Sequence, residues 1–361
     1  MKRFLLFLLF LFLYVVPYYS IGQSIKNWSA TAKLGNGFIV AHRPSVVHVL
    51  QKHCRSVELS FTKSTSKKGG WEELYNFPEI GFGYQFFNLG NPQELGTAQG
   101  LFGLVKFKLF NHKTSYFKTH LGLGIGYVSK TFNINDNYKN LLVGSNINAT
   151  ITTGIEYQIK LGKKTEFTSG INLTHYSNGG SNVPNMGINL VMLNIGLTYH
   201  INDIEPTTKD TLNVTRAEAF DIVMAGGIKQ IYPPNSPKYG VGILTTDYSW
   251  PLKKKSIVTI GADAFIDRSH KNFLLQDSIN AKGIDGIMRG GIHVGYGLKV
   301  GQCTGILQTG YYLYNPYEID GRIYTTLSFR YHLNNHWFAC FNLKSHYARA
   351  DYFQYGIGYH L

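Results

Sequence analysis

The sequence is poor in cysteine and in charge, and it has no long apolar run beyond its first residues. Three cysteines, Cys54, Cys303 and Cys340, are too few and too scattered for a disulfide framework or a cysteine-ligated metal. They read as small buried or lipid-facing hydrophobes, with a bridge between Cys303 and Cys340 as the alternative in an oxidising compartment. Charged residues are only 16% of the 361, less than the polar exterior of a soluble sandwich of this size requires. The longest apolar run, residues 4–16, is too short to cross a bilayer as a helix. Preceded by Met1-Lys2-Arg3 and followed by the small residues Ser20 and Gly22, it has the form of a secretory signal. Residues 1–22 are expected to be cleaved, leaving Gln23 or Ser24 at the new end. No cysteine follows at once, which argues against a lipid anchor.

What charge there is leans one way. Lys and Arg number 35 against 21 Asp and Glu, a formal net charge of +14 that becomes +12 on loss of Lys2 and Arg3. Such a balance favours anionic partners. The sequence shows no recognition helix, RNA-binding signature or basic run, so lipid phosphate or anionic glycolipid fits better than nucleic acid.

Helical periodicity is almost absent as well, and period two takes its place. In residues 115–128, Phe117, Leu121, Leu123, Ile125 and Tyr127 oppose Lys118, His120, Gly122, Gly124 and Gly126. In 287–301, Ile292, Val294, Tyr296, Leu298 and Val300 oppose Gly291, His293, Gly295, Gly297 and Lys299. Segments of about ten residues bounded by Gly, Asn, Asp and Pro, with 14% aromatic content, predict an all-β antiparallel transmembrane β-barrel. About sixteen strands fall into two halves of about eight, in 24–201 and 218–361. The polar segment 202–217 separates them. The first strand is expected at 37–43, the seventh at 165–177 and the eighth at 187–201. One wide barrel and two tandem barrels fit this pattern equally.

The halves resemble each other at their ends. Residues 172–177 (NLTHYS) are similar to 342–347 (NLKSHY), as are 196–201 to 356–361, a likeness that fits either a diverged duplication or coincidence between similar strands. The second half is expected to carry no site. His346 is shifted one residue to the inward face, and Ala348 stands where a nucleophile would be.

Chemistry concentrates in His175-Tyr176-Ser177-Asn178-Gly179-Gly180 and Asn185-Met186-Gly187-Ile188-Asn189. Alternation puts His175 and Ser177 on the apolar face with Ile171 and Leu173, and Asn189 on that of Val191, Leu193 and Ile195. With both termini periplasmic, the connection 178–186 is extracellular. Ser177 is then the candidate nucleophile and His175 its base. Asn189 is the third member, accepting the imidazole N–H, and Asn178 and Gly179 line an oxyanion hole. An amide cannot offset the developing imidazolium charge, so some loss of rate is expected. No metal or other cofactor is called for. His42, His48 and His53 match no common metal spacing and read as loop residues. Asp263 and Asp267 read as inward groups that meet Arg322 or Arg330.

The run His175-Tyr176-Ser177-Asn178-Gly179-Gly180 with Pro184-Asn185-Met186-Gly187 resembles the signature of the outer-membrane lipid A 3-O-deacylase (PagL-like, acyloxyacyl hydrolase) family. That resemblance implies an eight-stranded barrel that removes an ester-linked acyl chain from lipid A. It implies Ser177 as nucleophile, His175 as base and Asn178 in the oxyanion hole. The family has Glu where this chain has Asn189. In that respect the chain is similar to outer-membrane phospholipase A, which implies a Ser-His-Asn triad with calcium as cofactor and outer-leaflet phospholipid as substrate. A non-enzymatic pore or structural barrel is the third reading.

Overall fold

The computed structural model describes residues 27–112, 114–202, 218–276, 286–316, 318, 320–347 and 349–361. The expected signal segment, and the linker beyond Asn202, lie outside the described residues. Sixteen antiparallel strands close as two barrels of eight rather than one of sixteen. The first runs from β1 (Trp28–Ile39) to β8 (Ile188–His200), and β1 pairs with β8 to close it. The second runs from β9 (Ala219–Gln230) to β16 (Arg349–His360), closed by β16 on β9. No helix among the described residues is long and apolar enough to cross a membrane.

Closure follows from the residues. On outward positions Leu34, Phe82, Ile125, Leu193, Val294 and Ile357 are about half exposed or more, a face that only lipid covers favourably. An eight-stranded barrel is just wide enough to be filled by side chains, and the inward positions here do so with paired charges. In the first barrel Lys33 Nζ lies 2.5 Å from Glu58 and 2.6 Å from Glu156, and Lys118 lies 2.5 Å from Glu79. In the second, Arg330 bonds Asp221 at 2.7 Å and also Asp247, while His293 bridges Asp247 at 2.6 Å and Asp263 at 2.8 Å. Filled interiors of this kind argue against an open pore.

The strand pattern departs from the sequence reading at its start. The first strand is Trp28–Ile39, not 37–43, and residues 44–49 form a 3-10 turn. Its outward face runs Trp28, Ala30, Ala32, Leu34, and the two alanines give the alternation little contrast there. Asp263 is inward as expected, but its partners are His293, Thr245 and Tyr324, and Asp267 pairs with Lys229 at 2.7 Å. Arg322 instead bonds Glu318 at an exposed loop. The three cysteines are free, which removes the Cys303 to Cys340 bridge.

Turns at the rim holding the chain ends are mostly short, at 161–164, 254–255 and 301–302. At the opposite rim the connections are longer, at 40–53 and 129–146 in the first barrel and 231–237 in the second. Short turns mark the periplasmic side of such barrels and long loops the outer side. Both barrels therefore stand the same way up, with 178–187 outside. Over the first barrel the outer loops pack a small apolar cap in which Val46, Val49, Leu142, Val143, Ile188 and Leu190 are buried.

Replacing Lys33 by Met leaves Glu58 and Glu156 facing each other in the interior. Breaking a buried pair by removing one partner costs about 3–5 kcal/mol. The variant should unfold at a markedly lower temperature than the parent when heat-dependent gel mobility is followed in detergent. Unchanged unfolding would show that the interior network contributes little.

Candidate active site

β7 (Thr165–Ser177) and β8 form the hairpin that carries the site. Tyr176 fixes its phase. It is fully buried against Phe87, rings at 6.1 Å and nearly perpendicular, which turns its neighbours His175 and Ser177 to the outer face. In the hairpin register His175 stands directly opposite Asn189. Their side chains meet, with His175 Nδ1 2.7 Å from Asn189 Oδ1. An amide oxygen only accepts, so the imidazole proton sits on Nδ1 and Nε2 keeps its lone pair.

One further group completes this line. Asn189 Nδ2 donates to His42 Nδ1 at 3.3 Å. His42 comes from the loop after β1, brought beside β8 by barrel closure, and Val40 N–H donates to Asn189 O at 2.8 Å. An amide can flip by half a turn and exchange its O for its N. In the arrangement present, the His42 nitrogen accepts on one side and the oxygen faces His175 on the other. His42 was read from sequence as a loop residue, and nothing in its spacing to 189 marks it.

Ser177 Oγ is held by the loop that follows it. It accepts from Asn185 Nδ2 at 2.9 Å and from Gly179 N–H at 3.2 Å. Asn185 Oδ1 in turn accepts the Asn178 N–H at 3.1 Å. Asn185 is thus a second residue whose role the sequence reading left unassigned, although it lies inside the quoted signature. No hydrogen bond joins Ser177 to His175 among the described residues. The two lie one pleat apart on the same side of β7. Catalytic hydrogen bonds often tighten only with substrate present.

Asn178 and Gly179 sit at the site with different functions. The Asn178 amide is buried and committed to the loops. Its Nδ2 donates to Ser145 Oγ at 3.0 Å and Asn182 O at 3.1 Å, and its Oδ1 accepts from Gly180 N–H at 3.0 Å. The donors that reach Ser177 Oγ are the Gly179 amide and Asn185. Gly187 has its own reason to be glycine. Its φ is +79°, and a Cβ there would stand 2.5 Å from His175 Cε1, so the imidazole occupies the space a side chain would take.

The second half repeats none of this. His346 points inward, as its shifted register predicts, and bonds Tyr312 at 3.0 Å. With Asp320 and Asp351 it brings ligand-type atoms within 4.8 Å of one another. Arg289 at 3.2 Å from Asp320 and Lys344 at 3.3 Å from Asp351 already supply the positive charge. These are interior ion pairs, and they resemble the filling of the rest of that barrel.

Comparison with known proteins gives the family. A comparison with curated proteins returns no match. Among solved structures the chain is similar to Neisserial surface protein A, at 10% identity and a TM-score of 0.33 over 49% of this chain and 98% of that one. It is similar also to the β domain of the Bordetella autotransporter BrkA, at 10% identity and a TM-score of 0.23 over 93% and 99%. Residues 55–198 match the family model described as lipid A 3-O-deacylase (PagL), a span that holds the hairpin but not His42. Residues 218–361 match acyloxyacyl hydrolase, C-terminal domain. Between them the two matches cover most of the chain, which belongs to the lipid A 3-O-deacylase (PagL) family.

Proposed function

We propose that the protein is an outer-membrane serine esterase that removes an ester-linked acyl chain from lipid A, the 3-O-linked chain by the family's description. The observation that carries this reading is the line His42, Asn189, His175 ending beside Ser177 at the outer, lipid-facing edge of the first barrel. Ile171, Leu173 and Leu193 lie below it on the same face. A membrane lipid can therefore present its ester at the rim while its chains stay in the bilayer. Delivery to the outer membrane by a cleaved signal at residues 1–22 belongs to the same proposal.

The steps follow from the groups present. Ser177 Oγ turns from Asn185 toward His175 Nε2, gives up its proton there and bonds the ester carbonyl carbon. The carbonyl oxygen takes the negative charge, with Gly179 N–H and the Asn185 amide as nearby donors. Asn178 supports them by holding the loop. As the intermediate collapses the sugar alkoxide leaves and takes the proton from His175. Water, deprotonated by the same nitrogen, then releases the acyl chain from Ser177. Asn189 keeps the proton of the resting imidazole on Nδ1, and His42 keeps the Asn189 oxygen in place. None of these steps uses a metal.

Asn189 is also what favours a second reading, a calcium-dependent phospholipase A. The two separate cleanly. Lipid A from cells making the protein should lose the mass of one acyl chain, and Ser177→Ala should restore full acylation. EDTA should leave the activity of the purified protein unchanged. Lysophospholipid release that requires calcium, with lipid A intact, would favour the phospholipase, and unaltered lipid A with no ester hydrolysis at all would leave neither.

Two further outcomes test the residue roles. Asn189→Glu supplies a charge to balance the imidazolium and should raise kcat by about tenfold or more. In that background His42→Ala should cost little, since a carboxylate accepts with either oxygen, whereas in the parent it should lower kcat about tenfold by freeing the amide to flip. Equal effects in both backgrounds would remove His42 from the line. Gly187→Ala should displace the imidazole and reduce kcat by roughly 10²-fold while heat-dependent gel mobility stays that of a folded barrel.

A further inference from the structure

We infer that the siteless second barrel is a working part of the first barrel's site. It clamps the serine loop through Gln230 and walls it with Phe353. The inference rests on the reading of Ser177 as nucleophile.

The two barrels touch at both rims. At the periplasmic rim Tyr75 OH donates to Lys299 O at 3.1 Å, and Lys255 Nζ lies 4.7 Å over the Tyr75 ring. The Trp71 indole stands 3.1 Å from where a Cβ on Gly301 would be. These contacts involve no group near the site. At the outer rim the surface that the second barrel meets is the loop directly after Ser177. Gln230 N–H donates to Gly180 O at 2.9 Å, and Gln230 Oε1 accepts the Val183 N–H at 2.8 Å. One residue thus grips both arms of the loop by its backbone. Its own amide is anchored by donation from Nε2 to Ser236 O at 2.7 Å. Lys238 adds a bond to Asn182 Oδ1 at 2.8 Å.

Phe353 of β16 lies on the outward face of its barrel, with its ring 4.9 Å from that of Phe341. It packs against Gly179. A Cβ on Gly179 would fall 2.2 Å from the Phe353 ring, and one on Gly180 would fall 2.3 Å from Asp351 O. Both glycines have left-handed backbones, φ +62° and +82°, so two demands coincide on this pair. The turn needs positive φ, and the neighbouring barrel leaves no room for side chains. The consequence reaches the chemistry through one bond. Gly179 N–H is the amide that donates to Ser177 Oγ. Moving Gly179 therefore moves a candidate oxyanion donor, and small displacements of positioned groups cost large factors in rate. Gln230 and Phe353 are positioning residues in this sense. They do not touch the reacting atoms.

The test uses the full-length protein in detergent with a purified lipid A substrate. Phe353→Ala and Gln230→Ala should each lower kcat by about tenfold to 10²-fold with KM little changed. Gln230→Glu, which retains an acceptor for Val183 but loses the Nε2 donor to Ser236 O, should recover part of the loss. Trp71→Ala and Tyr75→Phe loosen the opposite rim and serve as controls that should stay within about twofold of the parent. Heat-dependent gel mobility identifies folded protein in each case, and amide exchange reports whether the Val183 N–H is released in Gln230→Ala, which removes its acceptor but not the backbone bond to Gly180 O. Parent-like kcat in both outer-rim variants, or equal losses in the periplasmic-rim controls, would overturn the inference. If the parent shows no Ser177-dependent hydrolysis, the reading of the site fails and the inference falls with it. Active parent protein that is indifferent to Phe353 and Gln230 overturns the inference alone.

Discussion

A sheet in lipid cannot leave a backbone amide unpaired, and that constraint governs every other feature of this chain. It forces each set of eight strands to close, β8 onto β1 and β16 onto β9. Closure then divides the side chains into two populations. Those turned outward must be apolar. Those turned inward share a tube just wide enough for side chains to fill, and the charged groups there pair with one another. The interior is accordingly a set of ion pairs such as Lys33 with Glu58 and Glu156, and Arg330 with Asp221. A buried charge is tolerable only when paired, and here the pairing spans strands far apart in the chain, so it also fixes which strands face each other.

The same division explains where catalysis can sit. Interior positions are occupied and closed to a membrane lipid. Outward positions in mid-membrane have no water for hydrolysis. The rim is where apolar face, water and loop backbone coincide, and His175, Ser177 and Asn189 lie there. The price is that a rim site stands partly on loops, which are less rigid than strands. Several devices offset this. Tyr176 locks the strand phase from inside, the apolar cap around Val46 and Leu142 holds the neighbouring loops, and the second barrel bears on Gly179 and Gly180.

How much of this was legible in the sequence depended on range. Period two revealed the barrel, its outward face and the shared face of His175, Ser177 and Asn189, because those relations are local to a strand or a hairpin. The inward turn of His346 was readable for the same reason. The first strand was placed too late, since Ala30 and Ala32 provide weak contrast with their neighbours. Two barrels against one could not be read, because the deciding pairs, such as Ala32 with Leu197 and Gly356 with Ala225, join residues more than a hundred positions apart. His42 was missed on those grounds too. It reaches Asn189 only through the closure of β1 on β8. Asn185 was in view, but the bonds it makes depend on how the loop folds back over Ser177, and composition does not encode that. At the double glycine the structure adds the steric demand of a neighbour, which alternation alone cannot show.

Asn189 is best understood in this setting. A carboxylate at the position would balance an imidazolium more strongly, but it would also place a full negative charge at the edge of a hydrocarbon layer whenever the imidazole is neutral. An amide avoids that cost and loses one property in exchange, the equivalence of its two ends. A carboxylate presents oxygen in either orientation, whereas an amide offers His175 an acceptor in one orientation and a donor in the other. In this fold the amide nitrogen meets His42 at 3.3 Å while the oxygen meets His175 at 2.7 Å. With Asn at 189, the contact to His175 belongs to a pair contributed by β8 and the loop after β1. Barrel closure brings those elements together, and so sets both contacts of the amide, to His175 within the β7–β8 hairpin and to His42 across the β1–β8 seam.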